Sequence, residues 1–198
     1  MNTIEVHIKG TAAHIQHNGQ MADPLNPWTK IMRETTGKRK KTDADLEQMG
    51  EIEWHAGLYT KPAIHPDDIS SKARVIVPAR VIKACLLQGA KKSKNGTTFK
   101  TAAFVNGDPE LIYKGPKEIK KLWADGGFML RSLVVVNRAR IVRCRPIFED
   151  WELKFKVDYD PDLINKGTIE QILYDAGNVV GLSDWRPEHG KFVIVNVK

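Results

Sequence analysis

The chain has 198 residues, of which 41% are hydrophobic and 28% charged, enough for one well-cored globular domain. Its 31 Lys and Arg outnumber 24 Asp and Glu, giving a net charge of +7 and a pI of about 9.4, a balance that favours polyanionic partners. No run of about 18 apolar residues occurs, which argues against a membrane span, and Cys85 and Cys144 have no metal-ligand spacing and read as reduced core cysteines of a cytosolic protein.

Residues 3–8 alternate Ile4, Val6 and Ile8 with Glu5 and His7, the pattern of a half-buried strand. The start of the chain therefore reads as strand and not as a signal peptide. Residues 12–19 are short and polar and end in a turn signal. Pro24, Asn26 and Pro27 open a mainly helical region. Residues 35–41 are basic and polar and are expected to be mobile. Thr42 is placed to cap a helix, with Asp45 as an approximate capping-box partner, and Leu46, Met49 and Ile52 follow at helical spacing. Pro78 is expected to open the best helix of the first half, with the stripe Ile82, Cys85, Leu86 and Gly89. That helix is expected to end near Ala90, before a basic loop over 91–96.

Two short β-like runs, 101–105 and 110–113, come next. Residues 133–137 and 139–144 read as strands around an Arg-rich turn or bulge. Trp151, Leu153, Phe155 and Val157 alternate with Glu152, Lys154, Lys156 and Asp158, the cleanest strand in the chain, which places Trp151 in the core. Thr168 with Gln171 suggests a capping box, Ile169, Ile172, Leu173 and Ala176 line one helix face, and Gly177 is expected to end that helix. Residues 191–197 form the last strand. This order suits an α+β fold with a ferredoxin-like β-α-β-β-α-β antiparallel core of RRM type and a helical insertion after the first strand. A single domain over 1–198 is expected, with residues 20–60 as an inserted lobe.

Three basic blocks stand out: Lys38, Arg39, Lys40 and Lys41; Lys91, Lys92 and Lys94; and Arg138, Arg140, Arg143 and Arg145, with no acid between 131 and 145. Arg pairs well with phosphate because its fork donates to two oxygens. The start of the helix at Pro78, with Arg80 beside it, offers free amides for a further phosphate. The loop over 181–192 contains Trp185, Arg186 and Lys191 between two glycines. Trp185 and Phe99 are candidate stacking platforms for bases, and a lid on the core is the competing role for Trp185. Asp184 and Glu188 repel phosphate, so Arg186, Lys191 and the Arg block are expected to carry the charge contact.

Three segments together resemble the RAMP superfamily, the ferredoxin-like RNA-binding subunits of CRISPR interference complexes. They are the early strand running into a polar stretch, 8–18; the segment Val77-Pro78-Ala79-Arg80 opening a helix that closes at Gly89-Ala90; and the loop over 181–190 before the last strand. The layout also resembles uncharacterised proteins carried by tailed bacteriophages. The resemblance implies binding of single-stranded nucleic acid across the sheet face and the glycine-bracketed loop, with polar contacts from His17 and Asn18. It also implies RNA over DNA, and copies lining up along the strand as an oligomer or filament, in the cytoplasm of a bacterial host. No cofactor, metal or membrane partner is expected.

Two rival readings stand beside non-catalytic binding. Some relatives of this kind cleave RNA with a histidine, so His14 or His17 could serve a metal-independent endoribonuclease. Alternatively, the basic blocks could dock a phage structural or interaction protein onto an acidic protein partner. The spacing of Asp158, Asp160 and Asp162 lacks the glycine and glutamate of a calcium loop and reads as a solvated strand end. There is no P-loop, dinucleotide fingerprint or serine nucleophile elbow.

Overall fold

The computed structural model describes residues 1–136 and 138–198. The chain is α+β and divides into two compact units. One gathers Met1–Ile15, Ile76–Lys114 and Phe148–Lys198; the other gathers Gln16–Val75 and Gly115–Ile147. The expected lobe over 20–60 therefore lies inside a larger unit that returns to the chain a second time.

The first unit is built on β1 (Asn2–Gly10), the short β2 (His14–Ile15), and, later in the chain, β5 (Ala103–Asn106), β6 (Ile112–Tyr113), β9 (Trp151–Tyr159) and β10 (Phe192–Val197). Its sheet runs β10-β1-β9-β5, every pair antiparallel, and β6 also pairs with β9. Ile4 of β1 faces Val157 of β9, Val6 faces Phe155 and Ile8 faces Leu153. All six are buried, so the alternation read from both strands lands on one apolar face. Helices α3 (Ala79–Lys92) and α6 (Lys166–Asp175) supply the other half of this core through Ile82, Cys85, Leu86, Ile169, Ile172 and Leu173. Between α3 and β5 lies α4 (Gly96–Ala102), a single short helix where the sequence suggested a basic loop and the start of a strand.

Gly89 lies on the buried stripe of α3 as expected, and close approach gives both it and Gly177 a structural reason. A Cβ on Gly89 would lie 2.7 Å from the Ile172 carbonyl oxygen and 2.9 Å from Ala176, so Gly89 lets α3 and α6 touch. A Cβ on Gly177 would lie 2.2 Å from the Phe192 carbonyl oxygen. Gly177 does not end α6: a π-helical turn, Ala176–Val180, carries the chain on to Gly181. The start of α6 also differs from expectation. Asn165, not Thr168, is the N-cap, and its side chain accepts from the Thr168 amide at 2.8 Å.

The second unit holds α1 (Pro27–Thr36), α2 (Asp43–Gly57), the paired β3 (Thr60–Lys61) and β4 (Arg74–Val75), α5 (Ile119–Asp125), and the hairpin of β7 (Met129–Val136) and β8 (Ala139–Phe148). The expected capping box is present: Thr42 accepts from the Asp45 amide, and Asp45 accepts from the Thr42 amide. Asn137, the expected end of the first Arg-flanked strand, lies outside the described residues. The core of this unit is aromatic. His55 stacks parallel to Trp28 at 5.8 Å and meets Trp54 edge-on at 5.0 Å, with Trp123 at 5.8 Å. The Trp54 indole donates to the Phe128 carbonyl at 2.8 Å.

Candidate nucleic-acid interface

The loop over 181–191 has a tightly constrained backbone. Gly181 and Gly190 adopt φ of +84° and +72°, and Ser183 and Trp185 share that left-handed region at +77° and +53° without being glycine. Each such non-glycine residue costs about 1–3 kcal/mol, so it persists only where its surroundings enforce it. The enforcing bonds are clear. Gly181 donates to Ala176 at 2.9 Å, Leu182 to Gly190 at 2.8 Å, Asp184 to Ile15 at 3.1 Å, His189 to Trp185 at 3.1 Å and Gly190 to Ala13 at 2.8 Å. From α3, the Cys85 thiol donates to the Gly181 carbonyl at 3.1 Å. Burial pushes this thiol up to about 12, so it is a packing and hydrogen-bonding group, not a nucleophile.

The outcome is a presented loop tip. Trp185 is half-buried, its ring 5.9 Å from His189, and Arg186 is exposed. With Pro187, Ser183 and Asp184 they form one wall of a groove of about 550 Å³; Gln88 and Lys92 of α3 and Val179 and Val180 of the π turn complete it. An indole beside two cations can stack a base and hold its phosphate. Lys191 is half-buried, and its carbonyl accepts from Thr11 at 2.8 Å and Ala12 at 3.3 Å, anchoring the loop's far end.

The other expected contacts separate into available and committed groups. Lys91, Lys92 and Lys94 are exposed. Arg80 is exposed in the first turn of α3, but the Ala79 amide beside it already donates to the Asp108 carboxylate at 2.8 Å. That helix start is therefore capped by an acid where a phosphate was expected. Phe99 is in α4 and 1% exposed, so it is core and no stacking platform. The exposed aromatic nearby is Phe104 of β5, with the Lys83 ammonium 4.4 Å from its ring centroid. The expectation for Phe99 fails because its stretch folds into α4, whose buried face holds this ring. Trp151 is core as expected, its indole donating to the Ala12 carbonyl at 2.9 Å.

On the outer sheet face of this unit several polar side chains already have partners. His7 contacts Glu152 at 2.8 Å, Lys156 pairs with Glu5 at 2.9 Å, and Asp158 accepts from Thr3 and Asn106. The Glu5 carboxyl is held below its ordinary range by the hydrogen bond and charge of Lys156. His14 is fully buried against Trp151 at 5.1 Å and Phe148 at 6.4 Å, and burial pulls its pKa down to about 3. A neutral, water-excluded ring of this kind cannot approach an RNA backbone, which removes His14 as a catalytic candidate.

In the second unit, Lys38 pairs with Asp45, and the Lys41 ammonium donates to the Lys38 carbonyl at 3.2 Å, while Arg39 and Lys40 are exposed. His17 is exposed, and its carbonyl accepts from Tyr59. The Asn18 side chain is spent on the Leu58 carbonyl at 3.2 Å. Arg138, with φ of +67°, is exposed at the hairpin's turn, and Arg140 is exposed in β8, paired in register with Val135. Arg145 and Arg143 are not free for phosphate in the same way. Both donate to Glu53 of α2, at 3.2 and 2.9 Å, and the Cys144 amide donates to the other Glu53 oxygen at 2.8 Å. Arg145 is 8% exposed. The fourfold Arg block thus divides into two structural residues and two exposed ones.

No protein-family model matches the sequence, and no curated protein matches it. Among the described residues, no cluster of three or more His, Cys, Asp or Glu could hold a metal ion, and no helix is long and apolar enough to cross a membrane.

Proposed function

We propose that this chain is a non-catalytic, RAMP-like protein that binds single-stranded nucleic acid, RNA in preference to DNA. Contact is largely through phosphates, and copies line up along the strand. The observation that carries the reading is the groove at the fixed loop, where Trp185 and Arg186 face Lys92 and Gln88. Stacking is sequence-tolerant and the cations address a backbone common to all sequences. The strand order β10-β1-β9-β5, with α3 after β1 and α6 after β9, supports a ferredoxin-like core for the first unit. The side-chain pairing on the sheet face, Lys156 with Glu5 and His7 with Glu152, moves the favoured contact from the sheet to the loop. Self-association is supported by the hairpin, where Leu133, paired in register with Val142, and Val135 are each more than half exposed.

Titration of a labelled single-stranded RNA against rising salt tests this reading. Binding at about 50 mM salt should weaken steeply, with a slope of about −0.7 per phosphate neutralised. The double change Arg186→Gln, Lys92→Gln should weaken all sequences alike and flatten that slope. An affinity indifferent to salt, or no binding at low salt, would overturn it.

A further inference from the structure

We propose that a second groove of the first unit, also at the C-terminal end of α3, is a site for a terminal phosphate: a phosphomonoester or polyphosphate group bearing two or more negative charges. The groove has a volume of about 510 Å³ and is lined by Leu87, Lys91, Lys94, Gly96, Thr97 and Lys100. Three of its six lining residues are lysines, and none is acidic. Lys91, Lys94 and Lys100 are all exposed, and among the described residues none lies within ion-pair distance of a carboxylate.

The backbone around the groove is built to hold this arrangement. Gly96 lies directly under the Lys91 stem: a Cβ there would come within 2.9 Å of Lys91 Cγ. Lys94 sits at φ of +60°, in the left-handed region, at the turn between α3 and α4. That turn is fixed by the Asn95 amide donating to Ala90 at 2.7 Å and by the Asn95 side chain donating to Ser93 at 3.1 Å. The C-terminus of a helix attracts one or two cations by its own partial charge, which accounts for Lys91 and Lys92. It does not account for Lys94 beyond the helix or Lys100 on the next one. Three like charges around one groove repel one another until an anion joins them. A phosphodiester in a strand carries one charge, whereas a terminal phosphate carries about 1.5 to 2 and three acceptor oxygens, one for each ammonium.

Two sources supply such a group: the end of a nucleic-acid strand or a free nucleotide. The first source rests on the nucleic-acid reading; the second does not. The experiment compares three probes: one RNA oligomer with hydroxyl ends, the same oligomer phosphorylated at its 5′ or its 3′ end, and a nucleoside triphosphate. An end-phosphorylated oligomer should bind at least about tenfold more tightly than the hydroxyl form, the effect of one charge-assisted hydrogen bond. The variant Lys100→Gln, at a lining residue outside the expected strand contacts, should remove most of that preference while leaving the affinity of the hydroxyl form and the thermal midpoint unchanged. If the hydroxyl oligomer fails to bind but the triphosphate binds and is lost in the variant, the groove stands and the nucleic-acid reading falls. Equal affinity for all oligomer ends, together with no triphosphate binding, overturns the site.

Discussion

At the scale of single residues, charge in the sequence and charge available at the surface are different quantities. Arg143 and Arg145 belong to a run without an acidic neighbour, and nothing local distinguishes them from Arg138 and Arg140. Their partner, Glu53, comes from α2, 90 residues or more earlier in the chain. Only the tertiary pairing reveals that the run is half structural. Glu53 accepts three hydrogen bonds, two from guanidiniums and one from a backbone amide, in surroundings where its side chain is 11% exposed. Removing it takes the carboxylate from a buried guanidinium, and breaking a buried ion pair from one side costs about 3–5 kcal/mol in comparable cases. Glu53→Ala should therefore lower the denaturant midpoint severely, and Glu53→Gln, which keeps an acceptor, less so. Equal stability of Glu53→Ala and the parent protein would show the cluster to be solvated. Trp185 makes the opposite case. It is half-exposed at the loop tip, so Trp185→Ala should leave the denaturation midpoint nearly unchanged while reducing RNA affinity by about 1–3 kcal/mol. A large loss of stability without loss of binding would make Trp185 a core lid.

At the scale of elements, long regular patterns were legible and close approaches were not. The alternation of β1 and β9 predicted their buried faces correctly, because a strand's two faces follow from sequence parity alone. The stripes of α3 and α6 were legible for the same reason. The seven-residue helices α4 and α5 were not, since a helix of two turns shows too little periodicity to separate from a loop. Gly177 stands where a helix is expected to end, and Gly89 stands on the expected buried stripe; at both, another backbone or side chain occupies the place of a Cβ. The distances rank them. Gly89→Ala meets the Ile172 carbonyl at 2.7 Å and should cost about 1–3 kcal/mol as α3 and α6 separate. Gly177→Ala meets the Phe192 carbonyl at 2.2 Å and should cost more, with the loop over 181–190 disturbed as well. Thermal unfolding of the two variants checks the order; a more stable Gly177→Ala would show that the π turn can shift freely.

At the scale of the whole molecule, each of the two units contains one buried histidine, and both rings oppose protonation. His14 in the first unit is pulled down to about 3 by burial alone. His55 in the second is also lowered by burial, partly offset by the hydrogen bond of its Nδ1 to the Glu51 carbonyl at 2.9 Å. With Nδ1 donating there, Nε2 is the site of protonation, and it faces the tryptophan cage without a hydrogen-bond partner. A histidine whose folded pKa is depressed contributes stability that is complete above the unfolded value of about 6.5 and is lost as pH falls from there toward the folded value. The unfolded chain takes up the protons that the folded rings refuse. His14 should therefore remove up to about 1.4 kcal/mol per pH unit below 6.5, and His55 acts in the same direction, so neither unit escapes. Denaturant unfolding between pH 7.5 and pH 4.5 should show a steep fall in stability, and His14→Phe or His55→Phe should each flatten part of it. The basic charge works in the same direction, since its self-repulsion grows as carboxylates protonate, but that contribution is screened by salt and the buried rings are not. A fall that persists at high salt and is reduced by either substitution is the expected signature; one abolished by salt alone would assign the acid sensitivity to net charge.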